Sequence, residues 1–223
     1  MKVSEMIFFS IQAEGPNIGT PSIFLRVSGC PLHCSFCDTP YALKNGQEMS
    51  TEEVVEKIKS FPCKNVVFTG GEPLLVQDDL ISIMETLLEQ NMFYFFEIET
   101  SGFIPPKCRM LELVDRWIVS PKLSNSGNKP YKIGKWFFDE DRGKKYLKFV
   151  VDKPEDLEEI LDYINSNENF GRLENEEVFL MPQATTVEEH NSKLPFIIDF
   201  AKKFGYRVSP RLQILAYGCR RGV

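Results

Sequence analysis

Ile23-Phe24-Leu25-Arg26-Val27-Ser28-Gly29-Cys30-Pro31-Leu32-His33-Cys34-Ser35-Phe36-Cys37 joins an apolar run to a loop with three thiols at spacings of four and three. The run 23–27 has the length and the aliphatic and aromatic content of a strand, and Gly29 ends it. The cysteines therefore sit on a loop at a strand's carboxyl end, the side on which open α/β sheets bind ligands.

Downstream the same rhythm repeats. Ser50 with Glu53 predicts a capping box opening a helix whose apolar side is Val54, Val55 and Ile58. Val66 to Thr69 reads as a strand stopped by Gly70-Gly71. A helix from about Asp78 to Gln90 follows, with Leu80, Met84, Leu87 and Leu88 at helical spacing. Phe93 to Ile98, Trp117 to Val119, Tyr146 to Val151, Val178 to Met181 and Tyr206 to Val208 read as further strands. Between them lie a short helix at 111–114, one after Pro154, and one capped by Thr186 and Glu189 and running to Phe204. Upstream, Met6 to Ile11 is a short apolar segment before the turn residues Gly15, Pro16, Asn17 and Gly19.

About six strand–helix alternations without a repeat give an α/β fold. The expected architecture is a partial, modified TIM-type barrel with an incomplete parallel sheet. A single domain over residues 1–223 is expected, with an inserted irregular loop around 122–145 carrying the aromatic cluster Trp136-Phe137-Phe138. A long irregular stretch inside a compact domain is more often functional than accidental. Residues 152–177 hold ten acidic and two basic side chains and read as a solvated face.

Composition narrows the function classes. With 32 acidic and 26 basic residues the formal charge is -6, which gives no global attraction for nucleic acid or anionic lipid. Met1-Lys2-Val3-Ser4-Glu5 lacks the order of a signal peptide and no apolar run has membrane-spanning length, so a cytoplasmic location is expected. In a reducing compartment clustered cysteines act as ligands or catalysts rather than as disulfides. Three soft thiolates on one loop suit zinc, copper or iron–sulfur chemistry. Structural zinc wants a fourth ligand, and Cys63, Cys108 and Cys219 stand alone. Three ligands to four irons leave one iron open for a cofactor.

Alternation puts Glu97 and Glu99 on the same side of their strand. Gly70-Gly71 permits a close backbone approach to a ligand, and Glu72 beyond it can accept from an ammonium.

The cysteine spacing, with Phe36 before the last thiol, resembles the signature of radical S-adenosylmethionine enzymes. Gly70-Gly71-Glu72-Pro73 resembles that superfamily's second motif. The resemblance implies that Cys30, Cys34 and Cys37 hold a 4Fe-4S cluster that generates the radical. It further implies that S-adenosylmethionine lies against Phe36, Asp38, Gly71, Glu72, Glu99, Ser101, Ser120, Lys122 and Gln183. Ser10-Ile11-Gln12-Ala13-Glu14-Gly15, Arg26, Cys37-Asp38-Thr39, Ser120-Pro121-Lys122 and the terminal Tyr217 to Val223 are similar to the 7-carboxy-7-deazaguanine synthase family. That family converts 6-carboxy-5,6,7,8-tetrahydropterin to 7-carboxy-7-deazaguanine with loss of ammonia. For this chain it implies pterin contacts at Gln12, Ala13, Glu14, Arg26, Thr69, Gly70 and the Val223 carboxylate. It also implies Mg2+ at Thr39, a flavodoxin- or ferredoxin-like electron donor, and a homodimer.

Two positions depart from the family pattern: Ala13 stands where glycine is usual, and Gln213 where histidine is expected. The alanine requires a negative φ, and the glutamine cannot relay a proton near neutrality. A glycyl-radical activating enzyme and a non-catalytic metal-binding module are the competing readings.

Overall fold

The structure, a computed structural model, describes residues 1–4, 7–138, 143–166, 173–218 and 220–222. Its strands are β1 (Lys2–Val3), β2 (Phe8–Ile11), β3 (Pro21–Val27), β4 (Gln47–Glu48), β5 (Asn65–Gly70), β6 (Phe95–Thr100), β7 (Arg116–Val119), β8 (Lys144–Val151), β9 (Val178–Pro182) and β10 (Arg207–Val208). Helices α1 (Thr51–Lys59), α2 (Gln77–Gln90), α3 (Cys108–Leu113), α4 (Pro154–Asn165), α5 (Val187–Phe204) and α6 (Leu212–Tyr217) complete it.

All ten strands belong to one sheet, in the order β10-β9-β8-β7-β6-β5-β3-β1-β4, with β2 also paired to β3. From β3 to β10 every pairing is parallel. The order does not close on itself, so the architecture is a partial, modified TIM-type barrel, as expected from the alternation. Of the antiparallel additions, β1 and β2 pair with β3, and β4 pairs with β1. β1 and β4 are two residues each, too short to leave a periodic signal, and were not foreseen.

Local chemistry sets the helix boundaries. Ser50 Oγ accepts from Glu53 N at 3.2 Å while the Glu53 carboxylate accepts from Ser50 N at 2.7 Å. Thr186 and Glu189 close the same reciprocal box on α5, each cap contributing about 1 kcal/mol. Val54, Val55 and Ile58 of α1 are buried with Leu80, Ile83, Met84 and Leu87 of α2 against the central strands.

Residues 122–138 are irregular and built in: Trp136 and Phe137 are buried, with the Trp136 ring 5.3 Å from that of fully buried Trp117. Residues 124–126 form a 3-10 turn that reaches the cysteine loop. The acidic stretch is a solvated face only in part. Asp156 is 1% exposed and accepts from the backbone of Asp152 and Lys153 and from Asn125 Nδ2 at 2.7 Å. Glu159 accepts from Ser124 N at 2.8 Å and Ser124 Oγ at 2.6 Å. These carboxylates moor the irregular loop to α4.

Candidate active site

Cys30, Cys34 and Cys37 leave the carboxyl end of β3 as free, half-buried thiols. Cys37 N donates to Cys34 O at 3.2 Å, closing the loop's last turn. From the irregular loop, Asn128 Oδ1 accepts from His33 N at 2.9 Å, and its Nδ2 donates to Cys34 Sγ at 3.2 Å. Ser35 N donates to Ser126 O at 2.9 Å. A sulfur that accepts an amide hydrogen bond has its negative form stabilised, as cluster ligation demands. Burial pushes the Cys30 thiol up to about 11. It also raises Cys34, against the Lys122 ammonium and the Asn128 hydrogen bond. Burial lowers Lys122, against the pull of Cys34. Among the described residues no three His, Cys, Asp or Glu groups converge on one ion.

The root of this loop is locked to the β5 turn. Gly71 N donates to Val27 O at 3.0 Å and Glu72 N to Gly29 O at 2.8 Å. A Cβ on Gly71 would stand 2.0 Å from Gly29 O, and one on Gly70, at φ +134, would stand 2.3 Å from Val27 O. The close approach that these glycines allow is thus to the cysteine loop's own backbone.

Glu72 is fully buried and its carboxylate is satisfied within the chain. It accepts from Leu74 N, Thr100 Oγ1, Ser101 N and Ser101 Oγ at 3.1, 2.7, 2.9 and 2.5 Å. It braces two strand ends, and Ser101 is held with it. Ser120 Oγ accepts from Lys122 Nζ at 2.9 Å. Gln183, after β9, accepts from Lys193 Nζ through its backbone oxygen at 2.6 Å and its side chain at 2.9 Å. Phe36 is half-buried and Asp38 exposed. Thr39 Oγ1 lies 3.9 Å from Cys37 Sγ.

A second group of polar side chains gathers inside the sheet. In Gln12 every polar position is occupied: Oε1 accepts from Ala13 N and Glu14 N, and Nε2 reaches Glu97 at 2.5 Å and Glu99 at 3.3 Å. Gln12 therefore shapes the turn that presents Ala13 and Glu14. No described non-glycine residue has a positive φ, so Ala13 meets the condition its side chain imposes. Thr69, paired in register with Arg26 of β3, donates to Glu99 at 2.9 Å.

Glu14 receives Lys148 Nζ at 2.6 Å, Arg211 Nε at 3.0 Å and Gln213 Nε2 at 2.6 Å. Burial opposes its charge, but Lys148 and Arg211, with the hydrogen bonds of Lys148 and Gln213, hold its carboxyl well below the usual range. Arg211 also pairs with Asp38 and donates to Ala184 O. Gln213 Oε1 is buried without a partner among the described residues, an acceptor left open beside Glu14. Val223 and Cys219 lie outside the described residues.

Lys148, Arg211 and Asn128 were not singled out from the sequence. Only Lys148 left a signal: a lysine in the apolar strand Leu147 to Val151.

Glu97, 1% exposed, is pushed up to about 7 by burial and by the neighbouring Glu99 charge, against Gln12 and Arg116. Between its ordinary 4.5 and 7, the folded chain keeps a proton that the unfolded chain has released. Stability from this group therefore falls as pH rises through that window, by about 3 kcal/mol in all. Urea midpoints of the wild type should drop from pH 5 to pH 8, and Glu97→Gln should flatten the drop. Parallel slopes in the two proteins contradict this assignment.

Among the described residues no helix is long and apolar enough to cross a membrane. A family model described as the radical SAM superfamily matches residues 25–122. The chain is similar to 7-carboxy-7-deazaguanine synthase of Pyrobaculum aerophilum, at 40% identity over 97% of this chain and 95% of that protein. It is also similar to the synthase of the same name from Rhodopirellula baltica, at 33% identity over 96% and 86%. The solved structure of QueE from Escherichia coli has the same fold, with a TM-score of 0.64 at 22% identity, covering 94% of this chain and 92% of that one. A thiol loop locked to a Gly-Gly-Glu turn, in an open parallel barrel with such relatives along nearly its whole length, places this chain in the 7-carboxy-7-deazaguanine synthase family of radical SAM enzymes.

Proposed function

We propose that the chain converts 6-carboxy-5,6,7,8-tetrahydropterin to 7-carboxy-7-deazaguanine with release of ammonia. The observation that carries this reading is the pairing of Arg211 with Asp38, which joins the three-thiol loop to the cluster of Glu14, Glu99, Lys148 and Arg211. The donor set fits a cluster: three free thiols on one loop, one sulfur already accepting the Asn128 amide. Cys30, Cys34 and Cys37 would hold the 4Fe-4S cluster. When bound, that cluster supplies the electron that splits S-adenosylmethionine and starts the radical chemistry.

The chain's own residues bind, orient and exclude water. Phe36, half-buried on the loop, shields the cysteines. Gly71 and Glu72 form the turn that lies against the cofactor, its Gly71 oxygen turned to the ligand and its Glu72 carboxylate keeping the turn rigid. Asp38, Glu99, Ser101, Ser120, Lys122 and Gln183 supply the other cofactor contacts, Ser101 and Gln183 from positions already fixed by Glu72 and Lys193. The pterin's adjacent N–H donors are met by the Glu14 carboxylate, held charged by its two cations, and by the open Gln213 Oε1. Ala13, Thr69 and Gly70 border the ring. Arg26, with a magnesium ion at Thr39, completes the contacts and takes the substrate carboxylate. The enzyme works as a cytoplasmic homodimer fed by a flavodoxin- or ferredoxin-like donor.

Anaerobic reconstitution and incubation with the carboxypterin, S-adenosylmethionine and a reductant test the proposal. Mass spectrometry should find the deazaguanine acid, with about four irons per chain and a higher yield when magnesium is present. Protein that carries its irons and splits S-adenosylmethionine but leaves the pterin intact overturns it, as a glycyl-radical activating enzyme would.

A further inference from the structure

Lys148 stands between two carboxylates that belong to different parts of the site. Its Nζ lies 2.6 Å from Glu14 Oε2 and 3.7 Å from Glu99 Oε1, and its side chain is 7% exposed. Glu14 follows β2 and Glu99 lies on β6, so no local chain geometry ties them. Each turns one oxygen toward the lysine and the other elsewhere, Glu14 Oε1 to Arg211 and Gln213 and Glu99 Oε2 to Thr69, while Gln12 also donates to Glu99 Oε1 and accepts from Glu14 N. The ammonium is thus a joint between a carboxylate assigned to the pterin and one assigned to the cofactor.

We propose that Lys148 is a positioning residue that sets Glu14 and Glu99 as one unit, so that S-adenosylmethionine and the pterin each strengthen the other's binding. The inference rests on the function proposed above. A lysine has a rotatable stem and three N–H donors, enough to serve both carboxylates at once. The first ligand to engage either carboxylate fixes all three side chains. The second then meets them already ordered and binds more tightly. Such coupling is reciprocal.

The test measures equilibrium binding to reconstituted holoenzyme without reductant, so that nothing turns over. In the wild type, the Kd for the carboxypterin should fall about tenfold when S-adenosylmethionine is saturating. Lys148→Met should weaken both ligands and bring that ratio to one, at unchanged iron content. Lys148→Arg, which keeps the charge, should restore part of the coupling. Equal pterin affinity with and without S-adenosylmethionine in the wild type overturns the proposal without recourse to a variant. So does a Lys148→Met protein that melts lower yet keeps the wild-type ratio, since that is the mark of a purely structural ion pair. A wild type that binds S-adenosylmethionine but no pterin overturns the functional reading, and this inference with it.

Discussion

Cys34→Ser should reduce iron retention after anaerobic reconstitution to a small fraction of wild type and abolish product formation. The serine hydroxyl can still accept from Asn128 Nδ2, and the bonds from His33 N to Asn128 and from Ser35 N to Ser126 do not involve the sulfur. The loop therefore keeps its shape while one soft ligand becomes a hard, reluctant one. Because the bound cofactor carries the difficult chemistry, its loss returns the reaction to background, a fall of more than about 10⁶-fold. Iron counting and product mass spectrometry on the same sample are the measurements, with a thermal melt to show that the barrel persists. Full iron content with substantial activity in this variant would remove Cys34 from the ligand set.

Gly71→Ala tests how the thiol loop is held rather than what it holds. The added methyl would lie 2.0 Å from Gly29 O and 2.6 Å from Gly29 C, and both are backbone atoms that cannot swing aside. Relief requires the β5 turn and the cysteine loop to part, stretching the Gly71 N to Val27 O and Glu72 N to Gly29 O bonds together. Overpacking of this kind costs about 3 kcal/mol, the upper end of its usual range, and should lower the melting temperature by roughly 10 °C in a chain of this length. Iron uptake should weaken as well, because Cys30 Cβ is the next atom in line, at 3.3 Å. An unchanged melt with normal iron content would show that the two loops are not packed as described.

What could be read in advance was what is local in sequence. The Ser50–Glu53 and Thr186–Glu189 boxes fix helix starts within four residues, and apolar runs such as Val66 to Phe68 mark buried parallel strands. The thiol loop was legible because its three ligands share one segment. Lys148 and Arg211 meet Glu14 across 134 and 197 residues, so only the topology brings them together. Gln12 and Glu72 look from the sequence like groups free to meet a ligand. Their partners, Glu97 with Glu99 for one and Thr100 with Ser101 for the other, come from a neighbouring strand whose register sequence does not specify. Asp156 shows the same limit: within an acidic run nothing in the sequence distinguishes a carboxylate that turns inward.

That inward carboxylate ties an outer helix to the thiol loop. Asp156 and Glu159 grip Asn125 and Ser124, whose neighbours Ser126 and Asn128 grip the thiol loop. The set of the thiol loop therefore depends on how one outer helix seats against the barrel as well as on the residues between the cysteines. Anything that loosens that helix, whether heat or a charge reversal, acts as a lever on the loop proposed to hold the cluster.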